Sequence, residues 1–288
     1  MDATIPADKL GVVLRTGFFI FLVMAGLILF AFLLPPVAGY LAGSAGSVFG
    51  AAAIANAISL RVFERRHLPA VGLNWHPGSL RNLSLGVLVG AIAAVLVLGL
   101  PLLVRAAYLE PSPDYPASGA AALFVSAVLL FGAFGEELLF RGYAFQILSL
   151  GFGRWFALIL SSLAFGWSHM SNQNASTLGI VNTVGFGVVL GYAFFRSGDL
   201  WLAIGVHFGW NVVLPLAGVN LSGFTMGVTG YTLRWRVAEI WSGGSYVPEA
   251  SVLTSAVILL LLAALRSAPV RPQRPLLADG REQEVGIQ

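Results

Sequence analysis

Long apolar runs, each closed by a short polar break, fill most of the chain. At about 20 residues per membrane crossing, they fall near 12–34, 37–60, 83–105, 118–149, 155–170, 177–195, 200–217 and 250–265. The pattern predicts an all-α fold, a polytopic transmembrane bundle of about eight spans. The first run follows Lys9 and Arg15 and has no small-residue cleavage site closely after it, so it reads as a retained span. No internal repeat is visible, which counts against an inverted-repeat transporter. Glycines at 179, 185, 187 and 191 predict close packing of the sixth span against its neighbours.

The breaks divide the chain. Residues 1–59 read as N-terminal transmembrane helices and 60–217 as a core. Residues 218–267 read as an outer loop followed by a last transmembrane helix, and 268–288 as a disordered tail rich in proline and charge. Within the core, Glu64 to Leu73 mixes cations with apolar anchors, as an interfacial element does. The loop 218–249, with Trp235, Trp241 and Tyr246, is long enough for a small lid or interfacial helix.

Three polar islands interrupt the apolar pattern. Glu136, Glu137 and Arg141 stand together in the fourth span, Phe165 and His169 in the fifth, His207 and Asn211 in the seventh. Charges inside a bilayer cost several kcal/mol unless they pair or line a wet cavity. Positions four apart share a helix face, and a glutamate before its cation is the favoured order, so Glu137 and Arg141 should pair. Glu136 lies about 100° round the helix and stays free, which makes it the candidate base. Counted from the nearest loops at 1.5 Å per residue, Glu136 and His169 lie roughly 22 Å deep, Asn211 roughly 18 Å and His207 roughly 12 Å. One enclosed chamber is the simplest reading. His207 is also close to the loop residue Asp199, so water and substrate should enter from that side, where Gly205 and Gly209 would be reachable.

Composition narrows the class. The chain of 288 residues is 57% hydrophobic and 10% charged, against roughly 25% charged in a soluble domain, so its surface cannot face water throughout. The absence of cysteine excludes disulfides, thiolate metal sites and cysteine nucleophiles. The net charge of +3 does not indicate nucleic acid, because the basic residues follow membrane topology. Lys9, Arg15, Arg61, Arg65, Arg66, Arg81, Arg154, Arg196 and the tail arginines fall on one side. By the positive-inside rule both termini are cytoplasmic, and the expected setting is the cell membrane. The partners expected are membrane lipid and a membrane-associated protein or peptide substrate.

A carboxylate beside imidazoles in a low-dielectric cavity that holds water can act as general base on that water, and His or Asn can stabilise a developing oxyanion. Together these are the parts of a peptide hydrolase. Other intramembrane chemistries lack their residues. There is no His-Glu-x-x-His motif, no Gly-x-Ser-x-Gly, and all aspartates lie in termini or loops. Water activated by glutamate or by a metal remains. His67 and His76 read as surface residues, and Trp167 and Trp210 as packing.

The succession Glu136-Glu137-x-x-x-Arg141, Phe165-x-x-x-His169 and His207-x-x-x-Asn211 resembles the CPBP family of intramembrane proteases, which comprises the type II CAAX prenyl endopeptidases and the bacteriocin-processing and self-immunity proteins. Glu64-Arg65 with Gly72-Leu73 is similar to a short element that often precedes the family's core. The resemblance covers roughly 60–217. It implies an endopeptidase in which Glu136 and His169 activate water, His207 and Asn211 hold the oxyanion, and Glu137 and Arg141 support the site. It leaves open CAAX-type or bacteriocin-like processing. No cofactor is expected, although Glu136, His169 and His207 could form a three-ligand zinc site with an open position. A proton-coupled transporter and a catalytically silent scaffold or immunity protein are the rival readings. The lack of a repeat and the contrast between a free and a paired glutamate favour the enzyme.

Overall fold

The computed structural model describes residues 8–273. Each expected span is helical. The helices are α1 (Lys9–Leu33), the short α2 (Pro35–Ala38), α3 (Tyr40–Ser59), α4 (Ser79–Leu103), α5 (Gly119–Arg141), α6 (Tyr143–Phe152), α7 (Arg154–Ser168), α8 (Thr177–Ser197), α9 (Trp201–Leu216), the short α10 (Glu239–Ser242) and α11 (Val252–Ser267). Five helical stretches are long and apolar enough to cross a membrane: Lys9–Ala38, Tyr40–Glu64, Ser79–Leu103, Gly119–Phe152 and Thr177–Ser197. Apolar α9 and α11 are shorter. The protein is an integral membrane helical bundle.

The fourth expected span is not one helix. It breaks at Gly142 between α5 and α6. The cause is Asn56 of α3, fully buried, whose side chain fills the break. Its Nδ2 donates to the Leu138 carbonyl at 2.9 Å, and its Oδ1 accepts from the Tyr143 amide at 2.7 Å. These bonds satisfy backbone groups that an interrupted helix leaves open. A Cβ at position 142 would collide with Leu138 O and Asn56 Oδ1, so only glycine fits. Glu136 lies five residues from the end of α5, about 8 Å. His207, six residues into α9, lies about 9 Å from the start of its helix.

Helices α4 and α9 make the closest contact in the molecule's core. Gly86 and Gly90 of α4 face Gly205 and Gly209 of α9, and a Cβ on any of them would strike the opposing backbone. Small residues at such a seam let two helices approach to backbone distance. Gly205 and Gly209 therefore face α4, not the chamber, contrary to the expectation that they would be reachable. On α8, Gly187 lies against Ser162 of α7 and Gly185 against Ile258 of α11, as the glycine pattern predicts.

The connection from α9 to α11 is more structured than a lid or a single interfacial helix. It contributes strand β2 (Tyr231–Trp235), which pairs antiparallel with β1 (Ala107–Pro111) just after α4, Ala107 opposite Trp235, and it also contains α10. At the opposite, arginine-rich end, Asp199 is buried and accepts from Asn82 Nδ2 at 2.9 Å and from Gln273 Nε2 at 3.2 Å. His76 Nε2 lies 3.0 Å from it. His76 is thus anchored rather than a free surface residue. Residues 268–273, expected as the start of a disordered tail, are fastened here: Arg271 N donates to Asn82 Oδ1 and Gln273 N to Ser197 O. The tail from 274 onward lies outside the described residues.

Candidate functional site

The structure brings the three polar islands together. Glu137 and Arg141, both fully buried, pair at 3.2 Å across one turn of α5. Arg141 also donates from Nη2 to the Gly187 carbonyl at 2.9 Å, and its guanidinium lies 4.8 Å from the Phe165 ring centroid. Glu137 Oε1 has a second partner, His207 Nδ1, at 2.8 Å. The spacing rule found the ion pair but not this bond, which joins α5 to α9.

That bond settles how His207 faces the chamber. With Nδ1–H donated to Glu137, Nε2 points inward. His169, the residue that closes α7, is held in the same way. Its Nδ1 is 2.8 Å from the Phe165 carbonyl, which can only accept, so this nitrogen carries the proton and Nε2 is again free. Phe165 thus serves twice, as the acceptor for His169 and as the ring over Arg141.

Both free Nε2 atoms face Glu136. Its Oε2 is 3.8 Å from His207 Nε2 and 4.0 Å from His169 Nε2. It is buried and has no hydrogen-bond partner, although the side chain as a whole is 27% exposed. Separations near 4 Å are too long for direct hydrogen bonds. Either gap is of the length that one bridging water spans. The cavity here offers about 50 Å³ to water, room for a few molecules but not for a peptide. Asn211, one turn beyond His207, lines it as well.

The residues do not fit a resident metal as they stand. Tetrahedral ligands about 2.0–2.1 Å from zinc lie about 3.4 Å apart, closer than either Glu136–imidazole separation. Among the described residues no group of three His, Cys, Asp or Glu is arranged to hold an ion.

One chamber residue escaped the sequence reading. Glu249, in the connection before α11, lines the same cavity with Ser222. Its Oε2 accepts from Ser222 N, and Trp210 Nε1 lies 3.5 Å from its Oε1. Trp210 is therefore a chamber residue and not packing alone, while its ring contacts Phe186 at 4.5 Å. Burial pushes the Glu249 carboxyl up to about 7, against hydrogen bonds from Ser222 and Trp210 that act the other way. Burial first, and then the Glu249 charge, push the neighbouring Tyr246 up to about 12. The sequence held one signal for Glu249: no Lys, Arg or His occurs between Arg236 and Arg266, so this carboxyl at the mouth of a span has no local cation.

Residues 118–213 match the family model described as type II CAAX prenyl endopeptidase, Rce1-like. That segment is similar to the Rce1-like family. The matched segment opens at Ser118, whose side chain caps α5 by accepting from Ala121 N at 3.2 Å. It closes two residues past Asn211, so it contains Glu136, Glu137, Arg141, Phe165, His169, His207 and Asn211. The Rce1-like segment is shorter than the 60–217 stretch expected from the motifs, and it excludes Ser222 and Glu249. No curated protein matches the chain. The Rce1-like match supports a CAAX-type intramembrane endopeptidase in general terms.

Proposed function

We propose that this chain cleaves prenylated, membrane-attached CAAX-type substrates by general-base hydrolysis without a metal. The observation that carries the reading is the buried, unpartnered Oε2 of Glu136 facing two imidazole Nε2 atoms at 3.8 and 4.0 Å. A water held among the three would pass a proton to Glu136 as its oxygen attacks the scissile carbonyl. His169 Nε2 orients that water. His207 and Asn211, one turn apart on α9, would bracket the oxyanion. His207 donates from Nε2 when its ring carries both protons, while Glu137 holds the other nitrogen. Arg141 keeps Glu137 in place. The arginine pattern supports a cell-membrane setting with both termini cytoplasmic. The Rce1-like match favours CAAX-type over bacteriocin-like processing and weighs against a transporter.

The test is cleavage of a quenched-fluorescent peptide carrying an S-prenylated cysteine four residues from its C-terminus. Glu136→Gln should lower kcat at least about a hundredfold, within the range that general-base catalysis supplies, while melting within a few degrees of wild type. Membrane-permeant chelators should leave the wild-type rate unchanged. Chelator inhibition reversed by zinc would replace glutamate with a metal-bound hydroxide. Full activity in Glu136→Gln would reject the assignment of the base.

A further inference from the structure

Hydrolysis of a peptide bond needs two proton transfers, one away from the attacking water and one onto the nitrogen that leaves. Glu136 serves the first in the reading above, on which this inference rests. The chamber holds a second carboxyl that the scheme leaves unused. Glu249 is 9% exposed and lines the same small cavity as Glu136, His169, His207 and Asn211. Its position is built. Asn182 of α8 donates from Nδ2 to the carbonyls of Glu249 and Ser251, at 2.7 and 3.0 Å, and its Oδ1 accepts from Ser255 at 2.7 Å. The backbone is thereby fixed while the side chain reaches inward. Oε2 is bound by Ser222 N, and Trp210 Nε1 approaches Oε1 at 3.5 Å. Among the described residues, no arginine or lysine lines the cavity. Glu137, by contrast, is committed to Arg141 and His207.

We propose that Glu249 is a further catalytic residue of this site, an acid whose carboxyl proton goes to the nitrogen of the leaving amine. The water oxygen bonds to the scissile carbon and one water proton passes to Glu136. The carbon–nitrogen bond breaks as Glu249 protonates the nitrogen. The products depart as a carboxylic acid and an amine that exchange a proton in water. Glu136, now protonated, returns its proton through chamber water to the Glu249 carboxylate, and both groups are reset. Two carboxyls in one site with differently tuned acidities are the usual division of labour between base and acid. Burial supplies that tuning for Glu249, whose value near 7 keeps the acid form present at neutral pH. The titratable groups around it are His207 on α9, whose charge acts in the opposite direction, and Tyr246 on its own loop. Glu136 on α5 and His169 after α7 share the cavity.

The experiment uses the purified full chain and two probes. One is the prenylated peptide described above. The other is a 4-nitrophenyl ester of an N-acyl, S-prenylated cysteine, whose phenolate leaves without a proton. Glu249→Gln should cleave the peptide at least a hundredfold more slowly in kcat, with KM within threefold. Its ester cleavage should fall by less than tenfold, while Glu136→Gln loses both activities. In the wild type the peptide rate should fall more steeply above about pH 7 than the ester rate, because both probes need the doubly protonated His207 and only the peptide needs the Glu249 proton. Peptide cleavage by Glu249→Gln within threefold of wild type, or equal losses on both probes, overturns the proposal. Should that variant fail to fold, the wild-type profiles decide, and an identical alkaline limb for both probes overturns it. If the wild type cleaves neither probe, the endopeptidase reading falls and this assignment falls with it.

Discussion

The turn of about 100° between Glu136 and Glu137 sends one carboxyl into the chamber and the other into a buried ion pair. Removing charge from the second should be a structural injury first. Glu137→Gln strands Arg141, fully buried, at a cost of about 3 kcal/mol, and it loosens the His207 ring. We expect a lower Tm together with lower activity, whereas Glu136→Gln should lose activity alone. A Glu137→Gln variant with wild-type Tm and turnover would mean that the two roles are misassigned. Glu249 makes a prediction in pH. Its carboxyl sits at about 7 in the folded chain against an ordinary 4.5, so the folded state keeps a proton that the unfolded state releases between those values. The unfolded state binds fewer protons there, and stability must fall as pH rises from about 4.5 to about 7. In thermal melts across that window, wild type should lose Tm relative to Glu249→Gln. A constant difference would show that the carboxyl titrates normally.

Elements show which parts of the site could be read in advance. Helical periodicity made Glu137–Arg141 and His207–Asn211 visible, because residues four apart must share a face whatever surrounds them. The break at Gly142 was invisible, since its cause is Asn56, 87 positions from the Tyr143 amide it satisfies. Glu249 was obscured for a similar reason. Its direction is set by Asn182, Ser222 and Trp210 on other elements, and a loop has no period to read. The α4–α9 seam was not legible although both Gly-x-x-x-Gly pairs stand in the sequence, because such a pair marks a close-packing face without saying which helix it meets. Gly209→Leu tests the seam. The new side chain would strike the Val87 carbonyl on α4, and α9 would shift with His207 and Asn211 upon it. A displacement of about 1 Å at reacting groups can cost a hundredfold, so turnover should fall by at least tenfold along with Tm. Leu260→Ala, on the exposed side of α11, should change neither.

Across the whole molecule, the site is held from both ends. At the arginine-rich end, Asn82, fully buried, joins α4 to Asp199 before α9 and to Arg271 after α11. Asn82→Ala removes these bonds together and leaves the Arg271 amide unmatched, a loss of about 1–3 kcal/mol. The expected readout is a lower Tm and faster cutting by a broad-specificity protease, proteinase K, within 268–273. Unchanged proteolysis would mean that the segment 268–273 is held by something else. At the other end, the connection carrying Ser222 and Glu249 completes the chamber. The α4–α9 seam has a mechanical consequence. Where the two backbones meet at the glycines there are no rotamers to exchange, so the helices behave as a single plank and tilt together. A cavity sized for water must widen before a peptide can lie beside Glu136. With α4 and α9 moving as one, that widening parts the pair from its neighbours and never opens the seam between them.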